Sequence, residues 1–168
     1  MNTKLIFDFT VDKAAHTVYV KKEFAAGLAS VWDTFTKAEL LDQWWGPKPW
    51  FTETKSMDFK EGGQRLYAMC GPEGEKHWAL ADFTSISPKT NFKFLSGFCD
   101  ENGNINKEMP LSKWNIDFID KENTTFVTVA IKHETLVDLE KIIAMGFKEG
   151  FTIALNGLDE FITNSKNN

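Results

Sequence analysis

The sequence has few cysteines, a single arginine and no long apolar run, and each shortage excludes a class of protein. Its 2 cysteines, Cys70 and Cys99, are too few for the disulfide framework of a small secreted domain, so we expect free, partly buried thiols. No stretch approaches the roughly 20 consecutive apolar residues that a membrane-spanning helix needs. We therefore expect no membrane span.

The basic residues neither outnumber the acidic ones nor form a cluster. The chain has 19 Lys and Arg against 24 Asp and Glu, a formal net charge of −5, and Arg65 is its only arginine. Nucleic-acid binding requires clustered cations that neutralise phosphates, so we expect no nucleic-acid partner. Near the amino terminus Lys4 interrupts the apolar residues too early for a signal peptide, which favours a cytoplasmic location.

The spacings typical of metal and cofactor sites are also missing. His16, His77 and His133 are scattered over separate segments, and neither a histidine pair at helical spacing nor a Cys-x-x-Cys motif occurs. Gly62-Gly63 has the surroundings of a hairpin turn rather than of a phosphate-binding loop. Neither cysteine has a recognisable histidine or aspartate partner. We expect no metal and no organic cofactor, and we assign no catalytic residue.

Aromatic residues, by contrast, are abundant: the chain of 168 residues contains 15 Phe and 6 Trp. This length is typical of one domain, here residues 1–168, and is sufficient for a substantial core. Composition alone leaves open whether the aromatic rings fill that core or line a pocket within it.

The periodicity changes from strand to helix in the first part of the chain. The β-branched and aromatic run Thr17–Phe24 predicts a strand, and the shorter run Leu5–Thr10 could pair with it. Apolar residues then recur at helical spacing from Leu28 to Phe35 and from Leu40 to Trp45. Between these runs, Thr36-Lys37-Ala38-Glu39 has the pattern of a capping box. We predict two short helices after the first strand, the second ending at the Gly-Pro that follows.

Strand-like runs separated by short turns follow from Phe51 to His133, which predicts an antiparallel meander. Residues of alternating position share one predicted inner face: Arg65, Tyr67, Met69, Phe92, Phe94, Phe98, Trp114, Ile116, Phe118, Val127, Val129 and Ile131. The apolar stripe from Phe147 to Ile162 predicts a long amphipathic helix over Lys148–Asn164 that packs on this face. The predicted fold class is α+β.

This order of elements is that of the helix-grip fold, and two sequence segments make the similarity more specific. Val31-Trp32-Asp33-Thr34-Phe35-Thr36 and Leu40-Leu41-Asp42-Gln43-Trp44-Trp45-Gly46-Pro47 resemble the signature of the heat-shock-protein-90 ATPase activator-like family. Glu149-Gly150-Phe151 is similar to a further landmark, whereas Lys37-Ala38 departs from the Asp-Pro that often begins a helix there. The resemblance covers most of the chain. It implies a START-like (SRPBCC) fold, in which a curved antiparallel sheet wraps around the C-terminal helix, as in birch-pollen allergens.

The resemblance implies three kinds of function. Members of the superfamily bind lipids, hormones or polyketides, so we expect a small apolar or amphipathic ligand in a cavity between the C-terminal helix and the sheet. One alternative is a co-chaperone-like module acting on a heat-shock-protein-90-type chaperone. Such members generally carry an additional N-terminal domain, which we do not expect in a sequence of this length. The other is a cyclase- or hydrolase-like enzyme, for which Arg65, Tyr67 and His77 are the only polar trio.

The predicted pocket combines large rings with few polar groups. Its candidate residues are Trp44, Arg65, Tyr67, Met69, His77, Phe83, Phe94, Trp114, Phe118, Phe151 and Leu155. The large rings could line an open cavity or plug it. For the tandem tryptophans, we expect one to anchor the short helices and the other to guard the cavity mouth.

Arg65 and His77 are the polar candidates with a stated role. An arginine on a mostly apolar face could grip a ligand carboxylate or phosphate through two hydrogen bonds. Alternatively, Arg65 lies at the sheet margin or pairs with a nearby acid such as Glu61. His77 shares its face with the small Ala79 and Ala81, which leave space beside it. It could serve as a general base or be a plain structural histidine.

Overall fold

A computed structural model describes residues 5–166 and contains one antiparallel sheet of eight strands. The strands are β1 (Phe7–Asp12), β2 (Thr17–Phe24), β3 (Phe51–Met57), β4 (Gln64–Cys70), β5 (Lys76–Ser87), β6 (Asn91–Cys99), β7 (Ser112–Asp120) and β8 (Thr125–His133). The helices are α1 (Leu28–Thr36), α2 (Ala38–Leu41), α3 (Leu136–Ala144) and α4 (Phe147–Lys166). Lys4, on which the expectation about a signal peptide depends, lies outside the described residues.

The strand order β1-β2-β8-β7-β6-β5-β4-β3 confirms the predicted meander. Strands β3 to β8 follow one another across the sheet, and the β1–β2 hairpin pairs with β8. The chain therefore has to cross from β2, near one edge, to β3 at the other edge. Helices α1 and α2 make this crossing, and they follow the hairpin that β1 forms with β2.

The inner face of the sheet is the one predicted from alternation. Trp114 pairs with Ile131 and Phe118 with Val127, and the side chains of all four are buried. On α4 the predicted stripe is buried as well: Phe151, Ala154, Leu155, Leu158 and Ile162 are each at most 7% exposed. Burying one large apolar side chain contributes about 1.5–3 kcal/mol, so contact between α4 and the sheet is a major source of stability. The α+β helix-grip architecture is confirmed.

The capping box is wrong, and the second helix is shorter than predicted. Thr36 still belongs to α1, where its hydroxyl donates to the carbonyl of Trp32 at 2.9 Å instead of capping α2. The N-cap of α2 is Lys37, which makes no side-chain capping bond. Helix α2 ends at Leu41, and the turn that follows carries Trp44 and Trp45. A threonine hydroxyl inside a helix can donate a hydrogen bond to a carbonyl of the preceding turn. The sequence pattern of a capping box does not distinguish this arrangement from a cap.

One end of the grip is packed with aromatic rings. Trp32 lies with its ring centroid 4.9 Å from that of Phe118, and Phe59 lies 4.9 Å from Phe83, both edge to face. Phe92 joins this cluster between the sheet and α1. These rings occupy the space between the sheet and the helices at that end, which corresponds to the alternative in which large rings fill the interior.

Within residues 5–166, no helix is both long and apolar enough to cross a membrane.

Candidate functional site

The opposite end of the grip contains a cavity of about 770 Å³. Its walls include residues from the last part of β4, the first part of β5, the last part of β6, the first part of β7 and the last part of β8. Because neighbouring strands are antiparallel, these parts all lie at the same end of the sheet. Helix α4 covers them, and α3 together with the segment between β6 and β7 borders the cavity.

Small side chains explain why this end stays open. Ala79 on β5, Ser96 on β6 and Ala154 on α4 line the cavity. Further along β5 the inner face carries Phe83, and the aromatic cluster begins there. Along β5 the inner face therefore changes from a small residue at the cavity to a large one at the filled end.

Large apolar side chains cover most of the cavity wall. Trp114 on β7 lies against Phe147 and Phe151 of α4, with ring centroids 6.2 and 5.6 Å away. Trp45 adds its ring to the same group, 5.6 Å from Trp114. Met145, at the end of α3, lines the cavity while 56% exposed, so it lies at the rim. The cavity wall is therefore mostly apolar and presents several flat ring surfaces.

The structure brings some of the predicted pocket residues to this cavity and keeps others away from it. Those that line it are Tyr67, Met69, His77, Trp114 and Phe151. Those that lie in the packed interior instead are Trp44, Arg65, Phe83, Phe94, Phe118 and Leu155. The physical reason is that the inner face is longer than the cavity, so sharing the face is not sufficient to reach the open end. Between Arg65 and Phe83 only a space of about 20 Å³ remains, about the size of one water molecule.

One tryptophan lies at the cavity and the other is an anchor, but Trp45 is the one at the cavity, whereas Trp44 is the one predicted to line it. The indole N–H of Trp44 donates to the carbonyl of Thr34 at 2.8 Å, which fastens the turn after α2 to α1. Trp45 is half-buried and lines the cavity. The sequence does not distinguish the two tryptophans, because their orientation depends on where α2 ends.

Arg65 is bound by Asp42, which sequence reasoning missed. Its Nη2 lies 3.0 Å from Asp42 Oδ1, and the hydroxyls of Thr52 and Thr54 each donate to the same oxygen at 2.8 Å. Burial lowers the pKa of the Arg65 guanidinium, while Tyr67 and Asp42 act in the opposite direction. The expected pairing with a local acid such as Glu61 is replaced by this longer-range pair. The charge of Arg65 is therefore neutralised within the protein.

The polar groups at the cavity are few. Tyr67 accepts a hydrogen bond from the indole N–H of Trp45 at 3.2 Å. His77 is exposed and stacks on Trp50, with ring centroids 5.7 Å apart. Cys99 is a free thiol, and burial raises its pKa, which keeps it protonated and a poor nucleophile.

His133 also lines the cavity and was missed, because a lone histidine at a strand end carries no sequence signal. It is 2% exposed, and neither ring nitrogen has a hydrogen-bond partner among residues 5–166. Burial lowers the pKa of His133, and the charge of Asp138 acts against that shift. The imidazole is therefore neutral at neutral pH.

The polar trio predicted for an enzyme is not assembled at the cavity. Of the trio Arg65, Tyr67 and His77, only Tyr67 and His77 line the cavity, and Arg65 lies behind Tyr67 in contact with Asp42. Among the described residues, no group of three or more His, Cys, Asp or Glu is placed to hold a metal ion.

Solved structures of proteins from several bacteria have the same fold. A protein of Mycobacterium smegmatis is 28% identical, with a TM-score of 0.85 over 94% of this chain and 96% of its own. A protein of Arthrobacter aurescens is also 28% identical, with a TM-score of 0.89 over 94% of this chain and 91% of its own. A protein of Nitrosomonas europaea is 26% identical, with a TM-score of 0.80 over 92% of this chain and 99% of its own.

A search of curated proteins gives no match. The family model described as "Activator of Hsp90 ATPase homolog 1-like protein" matches residues 25–163, which include every element from α1 to nearly the end of α4. This match confirms the resemblance drawn from the tandem tryptophan segment. The chain belongs to the family of Activator of Hsp90 ATPase homolog 1-like proteins.

Proposed function

We propose that this protein binds a small apolar or amphipathic molecule in the cavity between α4 and the sheet. The observation that carries the proposal is the contrast between the two ends of the grip. One end is filled with rings, and the other retains about 770 Å³. Each large side chain that filled this space would contribute about 1.5–3 kcal/mol, so keeping it open sacrifices stability. Ligand binding explains why small residues such as Ala79 stand there.

The size and chemistry of the wall indicate the class of ligand. Pockets for small molecules measure about 300–1,000 Å³ and are mostly apolar with a few polar groups. This cavity has that size, and its tryptophan and phenylalanine rings offer flat surfaces. Met69 and Met145 have flexible side chains that can adapt to irregular ligand shapes. We expect a molecule with one or more rings and little charge.

Filling the cavity tests the proposal directly. Ala79→Phe places a ring in the cavity, whereas Ala130→Phe makes the same substitution on β8, whose residue 130 alternates with the buried inner-face residues Val129 and Ile131. A ligand at one hundred times its Kd stabilises the folded state by about 2.7 kcal/mol. That corresponds to a rise of about 5–10 °C in the melting temperature of a domain of this size.

We expect apolar ring compounds to raise the melting temperature of the wild type and of Ala130→Phe but not of Ala79→Phe. Equal shifts in all three proteins would place the binding outside the cavity. A panel of such compounds that shifts none of them would contradict the proposal.

Membership of the family favours interaction with a heat-shock-protein-90-type chaperone as a second candidate. Helix α3 offers an exposed apolar side chain for such a contact, since Val137 is 75% exposed. We expect no stimulation of the chaperone's ATPase at stoichiometric ratios. Clear stimulation that Ala79→Phe retains and Val137→Asp loses would make chaperone binding the main function.

A further inference from the structure

Tyr67 presents a hydrogen-bond donor at the cavity that no described residue uses. Its side chain lies on the inner face of β4, is 6% exposed and lines the cavity. The phenol oxygen accepts the Trp45 indole proton at 3.2 Å, and an indole can only donate. Among residues 5–166 no acceptor receives the proton of the Tyr67 hydroxyl. Because buried donors are nearly always satisfied, an occupant of the cavity is the partner that this proton lacks.

The surroundings of Tyr67 make its hydroxyl a strong donor. The guanidinium carbon of Arg65 lies 3.9 Å from the centre of the Tyr67 ring, on its face. A cation over the face attracts the electrons of the ring, and the Trp45 N–H attracts those of the oxygen. Successive polar contacts of this kind polarise one another in a low-dielectric interior. Asp42, which binds Nη2 at 3.0 Å, holds the guanidinium in this position.

The charges around the cavity favour a neutral ligand group over an anion. Arg65 is paired with Asp42 and lies behind the Tyr67 ring rather than in the cavity wall. Lys76 lines the cavity, but its side chain is 53% exposed and lies 4.0 Å from Glu53. A carboxylate taken into this apolar wall would lose its hydration without gaining a buried cation. A carbonyl oxygen loses far less and needs one donor.

We propose that Tyr67 determines the specificity of the cavity by donating a hydrogen bond to a neutral carbonyl oxygen, such as that of a ketone or ester, on an otherwise apolar ligand. This inference rests on the proposed function. Trp45 and Arg65 are positioning residues that polarise the Tyr67 hydroxyl without touching the carbonyl themselves.

Three compounds on one aromatic frame test this assignment. In para-acetylbiphenyl a ketone is present, in para-isopropenylbiphenyl a CH₂ group replaces its oxygen, and biphenyl carboxylate carries a charge. We measure their Kd by calorimetry for the wild type and for Tyr67→Phe, which removes only the hydroxyl. One hydrogen bond to a neutral group corresponds to about tenfold in Kd. The wild type should prefer the ketone to the isopropenyl compound by about tenfold, and Tyr67→Phe should bind both equally.

The infrared carbonyl band of bound para-acetylbiphenyl reports the strength of this hydrogen bond. It should lie at lower frequency in the wild type than in Tyr67→Phe, and Trp45→Phe should give an intermediate value. A residue that only supported the fold would not change the frequency of this band. If the wild type binds ketone and isopropenyl compounds equally, or binds the carboxylate most tightly, the role of Tyr67 is refuted while cavity binding stands. If it binds none of the three, both proposals fail.

Discussion

Removing Asp42 should destabilise the protein strongly, because it leaves the Arg65 guanidinium buried without its counter-ion. The Arg65 side chain is 4% exposed, and Asp42 Oδ1 is its acidic partner at 3.0 Å. Breaking a buried pair by deleting one member costs about 3–5 kcal/mol. The same carboxylate also accepts hydrogen bonds from the hydroxyl of Thr52 and from the hydroxyl and backbone N–H of Thr54. Its loss therefore also removes three hydrogen bonds that hold β3.

Urea unfolding followed by circular dichroism measures this effect in Asp42→Ala. The matched control is Asp33→Ala, which removes a carboxylate from an exposed pair, with its Oδ2 3.6 Å from Lys37 and both side chains more than 40% exposed. Exposed pairs contribute only about 0–1 kcal/mol. We expect the double variant Asp42→Ala, Arg65→Met to recover part of the lost stability, because the buried charge is gone. A loss in Asp42→Ala no larger than in Asp33→Ala would refute the argument.

Two further predictions concern the core and the pH dependence of stability. Leu155→Asp buries an unpaired charge at a position that is 1% exposed, so we expect no cooperative thermal transition, and a melt within a few degrees of the wild type would contradict the placement of α4. For His133 the pKa of the folded state is lowered, so below pH 6.5 the unfolded state takes up a proton that the folded state refuses. Its contribution to stability is therefore lost as pH falls from about 6.5 towards the folded pKa, by up to about 1.4 kcal/mol per pH unit. In His133→Phe, urea unfolding between pH 5 and 8 should show a smaller loss, and an unchanged slope would contradict this account.

The regular parts of the fold could be predicted because their periodicity is strong. The stripe of α4 and the alternation in β8 repeat over several turns or residue pairs, so one irregular residue does not obscure them. The boundaries of α2 could not be predicted, because Thr36 satisfies its hydroxyl within α1. Short helices depend on such single contacts, which the sequence pattern does not report.

The cavity could be predicted in kind but not in position. Alternation identified the inner face correctly, yet only distance along each strand separates Tyr67 and Met69 at the open end from Phe83 at the filled end. The partner of Arg65 was also beyond sequence reasoning. Asp42 lies in the turn after α2, and only the crossing of the sheet by α1 and α2 brings it to β4.

The most direct test of ligand binding is native mass spectrometry after exposure of the protein to a metabolite extract. The wild type and Ala130→Phe should both carry a non-covalent small molecule that denaturation releases, and Ala79→Phe should carry none. Bare protein masses for all three, or the same adduct on all three, would contradict the claim that this cavity is the functional site.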